Sequence, residues 1–305
     1  MQEMGTQAQR HHLYYKMSAD FRHPLCSPAG IKERLSRFGL TPNKALGQNF
    51  LADQGARDAL IDAMNVDNRP VLEIGPGLGA LTEGLLQRAK AVAAVEKDAA
   101  MIRVLQETLS SPRLILVEGD ILKADIAALH KELGGGPLTV AGNLPYYITT
   151  PIVLMLLKCA LPIACMTLML QQEAAERFFA GPADRVYGPL TVAAQCGYDV
   201  EEVLKLPPSA YYPQPDVHSA VVRLVSKCAP LPEGFLSFLQ SAFAMRRKTL
   251  LNNLLSGYPR ETIREAMKSA NLPEGVRAEA LEPQALYSLY SHLNRQDREV
   301  KIPLR

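Results

Sequence analysis

The chain has 305 residues, of which 48% are hydrophobic and 21% are charged. This composition is typical of a soluble globular protein and excludes a disordered or fibrous chain. A length near 300 residues predicts two domains, because single hydrophobic cores stop growing near this size. The five cysteines form no CxxC pair and no metal-ligand spacing, so no metal site is predicted. Their odd number favours free thiols in a reducing cytoplasm.

Charge is distributed unevenly along the chain, although the formal net charge is only +2. Residues 1–50 and 241–305 each carry a net charge of +4, whereas residues 51–200 carry −5 and residues 201–240 carry −1. Basic ends around an acidic middle suit a polyanion that is held beside an acidic small-molecule pocket. Uneven charge is also common in proteins with no such ligand.

The sequence contains no predicted membrane or secretion segment. Residues 1–28 lack the apolar run of a secretory signal. One stretch that resembles a membrane span, Pro151 to Leu170, is divided by Lys158 and Pro162. This division predicts a buried helix followed by a buried strand.

The first sixty residues lead into the predicted core. Residues 1–29 are polar and without periodicity, and we expect them to form a mobile tail. A short amphipathic helix is predicted over Ile31–Phe38, followed by the loop-like segment Lys44–Leu51. Asp53 is a candidate N-cap for a helix that runs to Met64.

The chain then alternates short apolar runs with helical stretches, which predicts a parallel sheet covered on both faces and therefore a Rossmann-like α/β core. The predicted strands are Val71–Ile74, Ala91–Val95, Leu114–Glu118, Leu138–Ala141 and Cys165–Leu170. The predicted helices are Ala80–Arg88, Ala99–Leu109, Ile126–Leu133 and Thr149–Lys158.

The last third of the chain changes character. Val192–Leu206 and Val217–Val225 are predicted to hold late strands that pair antiparallel at one edge of the sheet. A proline-containing linker follows at Ser226–Gly234, and the remainder is predicted to be helical. The sequence thus predicts a tail at 1–29, a Rossmann-like catalytic domain at 30–227 and a helical RNA-binding domain at 228–305.

A glycine-rich turn, Gly75–Gly79, directly follows the first predicted strand and opens the next helix. Glycines at this place let a ligand approach the backbone, and Glu96 at the end of the second strand is placed to bind a ribose diol. Because Ala80 can stand for a third glycine, the same residues also satisfy the NAD fingerprint. They cannot by themselves separate a dehydrogenase from a methyltransferase.

Two further positions favour methyl transfer. Asp120 follows the third strand and can accept a hydrogen bond from an adenine amine, whereas Asn143 follows the fourth strand. Asp120 alone is equally readable as a turn residue, and Glu96 alone as a solvated carboxylate. Four successive strands that each end in a polar or glycine element nevertheless indicate one binding site at the carboxyl edge of the sheet.

The segment Asn143-Leu144-Pro145-Tyr146 has the chemistry of an amine clamp. An Asn side-chain oxygen and a backbone carbonyl can accept hydrogen bonds from the two N–H groups of an exocyclic amine. Pro145 fixes its own φ and restricts Leu144, which sets the direction of that carbonyl. Tyr146 offers a flat face for base stacking.

Together these and further motifs resemble the small-subunit (16S) ribosomal RNA dimethyladenosine transferase family, from about residue 31 to the end of the helical domain. The matching segments are Lys44–Leu51, Glu73–Gly79, Val95–Asp98, Glu118–Asp120, Gly142–Tyr147, Pro207–Tyr211, Ser219–Leu224 and Arg246–Leu250. The resemblance implies S-adenosylmethionine-dependent dimethylation of N6 of two adjacent adenosines in a hairpin near the 3′ end of 16S rRNA. It also implies a class I methyltransferase fold and a role in small-subunit biogenesis.

The resemblance further implies roles for individual residues. Asn49, Leu51 and Gly75 would hold the methionine end of the cofactor, and Gly77 and Asn143 would also bind the cofactor. Glu96 would bind the ribose hydroxyls, and Asp120 the adenine N6. Asn143 and the Leu144 carbonyl would orient the target amine. Pro145 would fix the direction of that carbonyl. Tyr146 and Tyr211 would stack on the target base.

Tyr211 departs from the family, which usually has Phe at this position. The hydroxyl leaves stacking possible but adds a polar group to the pocket.

Arg246, Arg247 and Lys248 stand at the start of the second helix of the helical domain and are predicted to contact RNA phosphates. The alternative for these three residues is a solvated basic face.

Three other functions compete with this interpretation. The nearest is a large-subunit rRNA adenine methyltransferase, which shares the catalytic motifs. An RNA-binding assembly factor on a methyltransferase scaffold is a second, and a dehydrogenase is the third. No histidine is predicted to be catalytic, no metal is required, and a monomer is expected.

Overall fold

The structure is a computed structural model that describes residues 16–17, 21–145, 148–227 and 231–299. The described chain divides into two compact units, each assembled from three segments. One unit lies within Met1–Ile152, Leu161–Ala175 and Glu201–Val225, and the other within Val153–Ala160, Glu176–Val200 and Ser226–Arg305. The division at residue 227 that the sequence predicts stays a prediction.

The strands of the described chain number eleven, and seven of them form the central sheet. In chain order they are β1 (Lys16–Met17), β2 (Phe50–Leu51), β3 (Pro70–Ile74), β4 (Ala91–Glu96), β5 (Leu109–Ser110), β6 (Leu114–Glu118), β7 (Leu138–Asn143), β8 (Ile163–Gln171), β9 (Tyr198–Leu206), β10 (Tyr211–Tyr212) and β11 (Ser219–Ser226). The seven-stranded sheet has the order β6-β4-β3-β7-β8-β11-β9. Two small antiparallel pairs, β1 with β5 and β2 with β10, complete the set.

Strands β6, β4, β3, β7 and β8 are parallel, and β11 is antiparallel to β8. The strand order reverses between β3 and β7, since the chain proceeds outward from β3 to β6 and then returns to β7 on the other side. In such sheets the crevice at the carboxyl ends beside the reversal is the usual ligand site. The parallel Rossmann-like sheet and the antiparallel β11 confirm the predicted architecture.

Helices flank the strands largely where periodicity predicts them. They are α1 (Pro28–Arg37), α2 (Gln54–Met64), α3 (Ala80–Arg88), α4 (Ala99–Thr108), α5 (Ile126–Glu132), α6 (Thr149–Lys158), α7 (Gln172–Glu176), α8 (Pro189–Gly197), α9 (Phe235–Ala242), α10 (Leu250–Leu254), α11 (Arg260–Ser269) and α12 (Pro283–Glu299). Asp53 caps α2 as predicted, because its side chain accepts a hydrogen bond from the N–H of Ala56 at 2.9 Å. Among the described helices, none has the length and apolarity to cross a membrane.

One predicted strand begins too early. Residues 192–197 belong to helix α8, and β9 begins only at Tyr198. Pro189 stands in the first turn of this helix, where its missing N–H costs nothing. The consecutive buried residues Val192, Ala193 and Ala194 resemble a buried strand in sequence, so the apolar run does not distinguish the two structures.

The core of the first unit forms where helices α2 and α3 pack on the sheet. Leu60 and Leu85 are fully buried against strand residues such as Val71. A second cluster joins Ile31 of α1 to Phe50 of β2 and to residues of α4. Helix α1 and strand β2 are thereby packed beside the sheet's carboxyl edge, where Ile31 and Phe50 both line a cleft.

The second unit is stabilised by aromatic packing. The ring of Phe235 in α9 lies 5.2 Å from that of Tyr290 in α12, and Phe238 lies 5.3 Å from the same tyrosine. Tyr187 and Phe243 make an edge contact at 5.8 Å. Such pairs contribute about 0.5–1.5 kcal/mol each beyond the area that they bury.

Gly142 in β7 tests how tightly the central strands are packed. A Cβ atom at Gly142 would lie 2.8 Å from the carbonyl oxygen of Ile74 in β3, which is closer than van der Waals contact. We expect Gly142→Ala to lower the free energy of unfolding by about 1–3 kcal/mol, measured by chemical denaturation. The control is Gly119→Ala, where the new methyl group meets no atom within 4 Å. Equal stabilities of the two variants would contradict the close approach.

Candidate active site

A cleft lies at the carboxyl ends of the four parallel strands β3, β4, β6 and β7. Its wall contains the glycine turn after β3, Glu96 at the end of β4, Asp120 after β6 and Asn143 at the end of β7. The structure therefore brings together the residues that the sequence selects at successive strand ends. Asn49, Leu51, Gly75, Gly77, Leu144 and Pro145 line the same cleft.

The glycine turn has a backbone conformation that residues with a side chain rarely adopt. Gly75, Gly77 and Gly79 have φ values of 67°, 56° and 91°. At Gly77 an added Cβ would also lie 3.2 Å from the ring of Phe50. Glycine is required here because both the left-handed φ and the adjacent ring exclude a side chain.

Glu96 is fixed against this turn by two backbone hydrogen bonds. Its Oε2 accepts from the N–H of Gly77 at 3.0 Å and its Oε1 from the N–H of Asp98 at 2.9 Å. The side chain is buried, which raises the pKa of Glu96, while the two N–H donors oppose that rise. Each carboxylate oxygen keeps further acceptor capacity, so the group can bind a pair of hydroxyl donors.

Asp120 lies in the turn that follows β6. Its Oδ1 accepts from the N–H of Leu122 at 3.1 Å, and its Oδ2 lies 3.1 Å from the Lys97 ammonium. The hydrogen bond from the Leu122 N–H, and to a lesser extent the Lys97 ammonium, hold the pKa of Asp120 below its usual value. The residue thus shapes its turn and also presents an ionised acceptor to the cleft.

Asn143 has a defined amide orientation. Its Nδ2 donates to the backbone carbonyl of Asn49 at 2.9 Å. This bond leaves Oδ1 as the acceptor for an incoming N–H group, which is the polarity that an amine clamp requires. The neighbouring Leu144 is fixed through its N–H, which donates to the Met169 carbonyl of β8 at 3.1 Å.

The turn after Leu144 is held in the same way. The Pro145 carbonyl accepts from the N–H of Ile148 at 3.2 Å and from the hydroxyl of Thr149 at 3.3 Å. These bonds join the clamp to the start of α6. Tyr146 lies outside the described residues.

Tyr211 is buried beside Met169, a residue of the cleft wall. Its side chain is 2% exposed and packs in the hydrophobic cluster that contains Leu51 and Met169. The hydroxyl donates to the Met169 sulfur at 3.9 Å. Met169 lines the cleft, whereas Tyr211 is absent from its described wall. Stacking on Tyr211 stays a prediction.

Two residues of the site were not selected from the sequence. Gln48 donates through Nε2 to Oδ2 of Asp98 at 2.7 Å and accepts the Asn43 N–H at 2.8 Å, so it joins the segment before β2 to the start of α4. Lys97 pairs with Asp120. Both residues lie inside segments that match the family, next to Asn49 and Glu96. That adjacency is the signal by which the sequence could have identified them.

Acidic residues outnumber basic ones among the described residues that line the cleft. Of the described residues that line it, Glu73, Glu96 and Asp120 are acidic and Lys97 is basic. No histidine is among them. The described chain also contains no group of three or more His, Cys, Asp or Glu residues that could hold a metal ion.

The basic triplet of residues 246–248 precedes helix α10 and does not form its start. Thr249 caps the helix by accepting the N–H of Asn252 at 3.3 Å, so the helix begins at Leu250. Arg246 lies 2.7 Å from Glu279 and donates to the backbone carbonyls of Asp184 and Arg185. Arg247 and Lys248 are exposed.

Comparison with known proteins gives consistent results. The family described as ribosomal RNA adenine dimethylase matches residues 39–295. The chain is 39% identical over 268 residues to ribosomal RNA small subunit methyltransferase A of Alkaliphilus oremlandii, covering 84% of this chain and 93% of the relative. It is 39% identical over 283 residues to the protein of the same name from Geobacillus thermodenitrificans, covering 88% and 97%.

Solved structures extend the similarity to the fold. A dimethyladenosine transferase from Plasmodium falciparum matches with a TM-score of 0.67 and 26% identity, covering 81% of this chain and 98% of the other. The 23S rRNA methyltransferase ErmE matches with a TM-score of 0.59 and 28% identity, covering 81% of this chain and all of the other.

The contacts of Arg246 predict a structural role that its neighbour lacks. Arg246→Ala removes an ion pair and two hydrogen bonds to backbone carbonyls, so we expect it to lower the free energy of unfolding by about 1–2 kcal/mol. The matched control is Arg247→Ala, for which we expect a change within about 0.5 kcal/mol. Denaturant titration of both variants measures the difference. A neutral Arg246→Ala would show that these contacts contribute no stability.

Proposed function

The chain belongs to the ribosomal RNA adenine dimethylase family, and on that premise we propose that it methylates N6 of two adjacent adenosines in the 3′-terminal hairpin of 16S rRNA. The enzyme is an rRNA adenine dimethyltransferase of the small-subunit type. S-adenosylmethionine as methyl donor, an immature small ribosomal subunit as substrate particle and a role in its biogenesis are parts of the proposal.

The orientation of Asn143 is the observation that carries this proposal. Its Nδ2 is engaged by the Asn49 carbonyl, so Oδ1 is the atom available to the target. An adenine N6 amine is planar and a poor nucleophile, because its lone pair is delocalised into the ring. Hydrogen bonds from its two N–H groups to Oδ1 of Asn143 and to the Leu144 carbonyl would favour a pyramidal, nucleophilic nitrogen.

The cleft fits S-adenosylmethionine by charge and by its acceptors. Three acidic residues against one lysine suit a cationic ligand. Glu96 would accept from the ribose hydroxyls, and Asp120 from the adenine amine. The methionine end would lie against Asn49, Leu51, Gly75 and Gly77, where the glycine turn leaves the backbone open to a ligand.

When bound, S-adenosylmethionine supplies a methyl group on a positively charged sulfur. The contribution of the chain is to position the amine in line with that bond, which requires no strong base. The proton of the methylated amine can pass to water. Pro145 would fix the orientation of the Leu144 carbonyl. Tyr146 would stack on the target base, as the family resemblance implies.

RNA binding is assigned to the helical domain at 228–305 in the same proposal. Arg247 and Lys248 would contact phosphates, and Arg246 would hold the turn that presents them. The enzyme is proposed to act as a monomer in the cytoplasm, where its cysteines would remain reduced; Cys26, Cys159, Cys165 and Cys196 are free thiols in the structure. Residues 1–29 receive no role.

The direct test uses purified protein with undermethylated small subunits and, separately, with large subunits lacking their adenine methylation. We expect N6,N6-dimethyladenosine in digests of the small-subunit rRNA by mass spectrometry. The similarity to ErmE supports the alternative of large-subunit methylation. Product on the large subunit alone would favour that alternative, and product on neither subunit would contradict the proposed activity.

Asn143→Ala should remove most of the catalysis while the cofactor still binds. Removal of one hydrogen-bonding group that stabilises the transition state typically costs about 10²–10³ in kcat. We expect that loss in single-turnover methyl transfer, with S-adenosylmethionine affinity by calorimetry changed only a few-fold. Asn252→Ala, on the exposed face of α10, is the control. Turnover by Asn143→Ala at the rate of that control would exclude the clamp.

Arg247 and Lys248 should contribute to the salt dependence of RNA binding. Each phosphate contact adds about 0.7–0.9 to the slope of log affinity against log salt concentration. We expect the double variant Arg247→Ala/Lys248→Ala to flatten the slope by about 1.4–1.8. Arg264→Ala, which removes an exposed arginine paired with Glu261, is the control. An unchanged slope in the double variant would remove both residues from the interface.

A further inference from the structure

Met169 is an apolar residue of the cleft that the proposed mechanism does not use. It belongs to strand β8, is 2% exposed and lines the cleft. Its Cα atom is paired with that of Asn143 in the parallel strand β7. Paired residues on neighbouring strands project from the same face of a sheet, about 4.8 Å apart. The Met169 side chain therefore lies beside the side chain that is proposed to hold the target amine.

Two contacts orient Met169 in this place. Its backbone carbonyl accepts from the N–H of Leu144 at 3.1 Å, and its sulfur accepts from the hydroxyl of the buried Tyr211 at 3.9 Å. The hydroxyl is the group by which Tyr211 departs from the Phe that the family usually has. Because a thioether sulfur is a weak acceptor, this contact orients the side chain without making it rigid.

The second methyl transfer presents the clamp with a different group from the first. After the first transfer N6 carries one methyl group and one N–H, so only one acceptor of the clamp still receives a hydrogen bond. In the second transfer the N6 lone pair forms a bond to the donor's methyl carbon as the carbon–sulfur bond breaks, and that electron pair stays on sulfur. The last N–H proton then passes to water. Throughout this step the first methyl group needs apolar neighbours, because it satisfies no polar atom.

The chemistry of Met169 suits this need better than that of its apolar neighbours. Ile148 and Ile152 also line the cleft, but both are β-branched, so their side chains have few conformations. Met169 is unbranched, with three rotatable side-chain bonds and a polarisable sulfur, and such side chains adapt to groups of different size. An adaptable wall suits a site that must accept first an unsubstituted amine and then a methylated one.

We propose that Met169 is a specificity-determining residue, against which the first methyl group of N6-methyladenosine lies during the second transfer. The Tyr211 hydroxyl is a positioning group that acts through the Met169 sulfur. The inference rests on the proposed function for the identity of the target. Changes at Met169 should therefore alter the second transfer more than the first, because unmethylated adenosine brings no methyl group to this wall.

Methylation of undermethylated small subunits by an excess of the full chain tests the proposal. Mass spectrometry of digests over time gives the amounts of N6-methyladenosine and N6,N6-dimethyladenosine. These amounts yield the ratio of the second rate constant to the first. Unfolded protein in a preparation lowers both rates equally, so the ratio does not report on stability.

Two variants of Met169 change the wall in different ways. Met169→Leu keeps the volume but places a branched carbon beside the amine, and we expect the ratio to fall about tenfold, the effect of one methyl group in a fitted apolar pocket. Met169→Gln keeps the unbranched shape but puts an amide against the methyl group, and we expect a similar fall. If Met169→Gln does not fold, Met169→Leu decides.

The matched control is Met166→Leu. Met166 is a fully buried methionine of the same strand and is not among the described residues that line the cleft. We expect this variant to keep the wild-type ratio. A wild-type ratio in the folded Met169 variants as well would overturn the proposal.

Tyr211→Phe tests the hydroxyl, because it keeps the ring and removes only the donor. Loss of a hydrogen bond to a weak acceptor should lower the ratio about two- to fivefold in the wild-type background. In the Met169→Leu background, where no sulfur accepts the bond, Tyr211→Phe should leave the ratio unchanged. An equal fall in both backgrounds would overturn the role of the hydroxyl, since it would then not act through Met169.

The outcomes separate this inference from the proposed function. Absence of any methylated adenosine in small subunits treated with wild type would contradict the proposed activity and, with it, the role of Met169. Dimethylation by wild type with an unchanged ratio in the Met169 variants would leave the proposed activity intact and overturn the inference alone.

Discussion

Strand β7 is hydrogen-bonded between β3 and β8, and its register determines where the site can form. Gly142 pairs with Ile74 on one side and Asn143 with Met169 on the other. The absence of a side chain at Gly142 lets β3 approach closely, which places Asn143 at the carboxyl edge beside the glycine turn. The Asn143 amide then fixes the segment before β2 through the Asn49 carbonyl. A change in this register would move the clamp and the cofactor wall together, because the same strand end supports both.

The cleft shows how depth of burial and local donors set the charge of carboxyl groups. Glu96 and Glu73 are buried, so their pKa values are raised, whereas Asp120 lies nearer solvent beside Lys97 and a backbone N–H, so its pKa is lowered. Similar carboxyl groups thus provide one ionised acceptor and two whose charge is costly without a partner. A cationic ligand would offset that cost, because a nearby positive charge favours the ionised form of a buried carboxyl.

Much of the fold was predictable because its signals are local. Strand and helix positions follow from apolar periodicity, and caps such as Asp53 mark helix starts. The convergence of Gly75, Glu96, Asp120 and Asn143 was also predictable, since parallel strands end at the same edge. The strand predicted within Val192–Leu206 begins only at Tyr198, because the continuous apolar run before it has no period that separates a buried helix from a buried strand.

The sequence by itself determined the order of the motifs, the parallel sheet and the set of residues that meet at its carboxyl edge. The tertiary structure decided which atoms those residues present. It directs the Asn143 oxygen away from the Asn49 carbonyl, which lies 94 residues away in the chain, and it buries Tyr211. It also gives Arg246, which is exposed like Arg247, hydrogen bonds to Glu279 and to two backbone carbonyls. The physical reason is that hydrogen-bond partners and burial arise from residues distant in the chain, and no local pattern specifies such pairs.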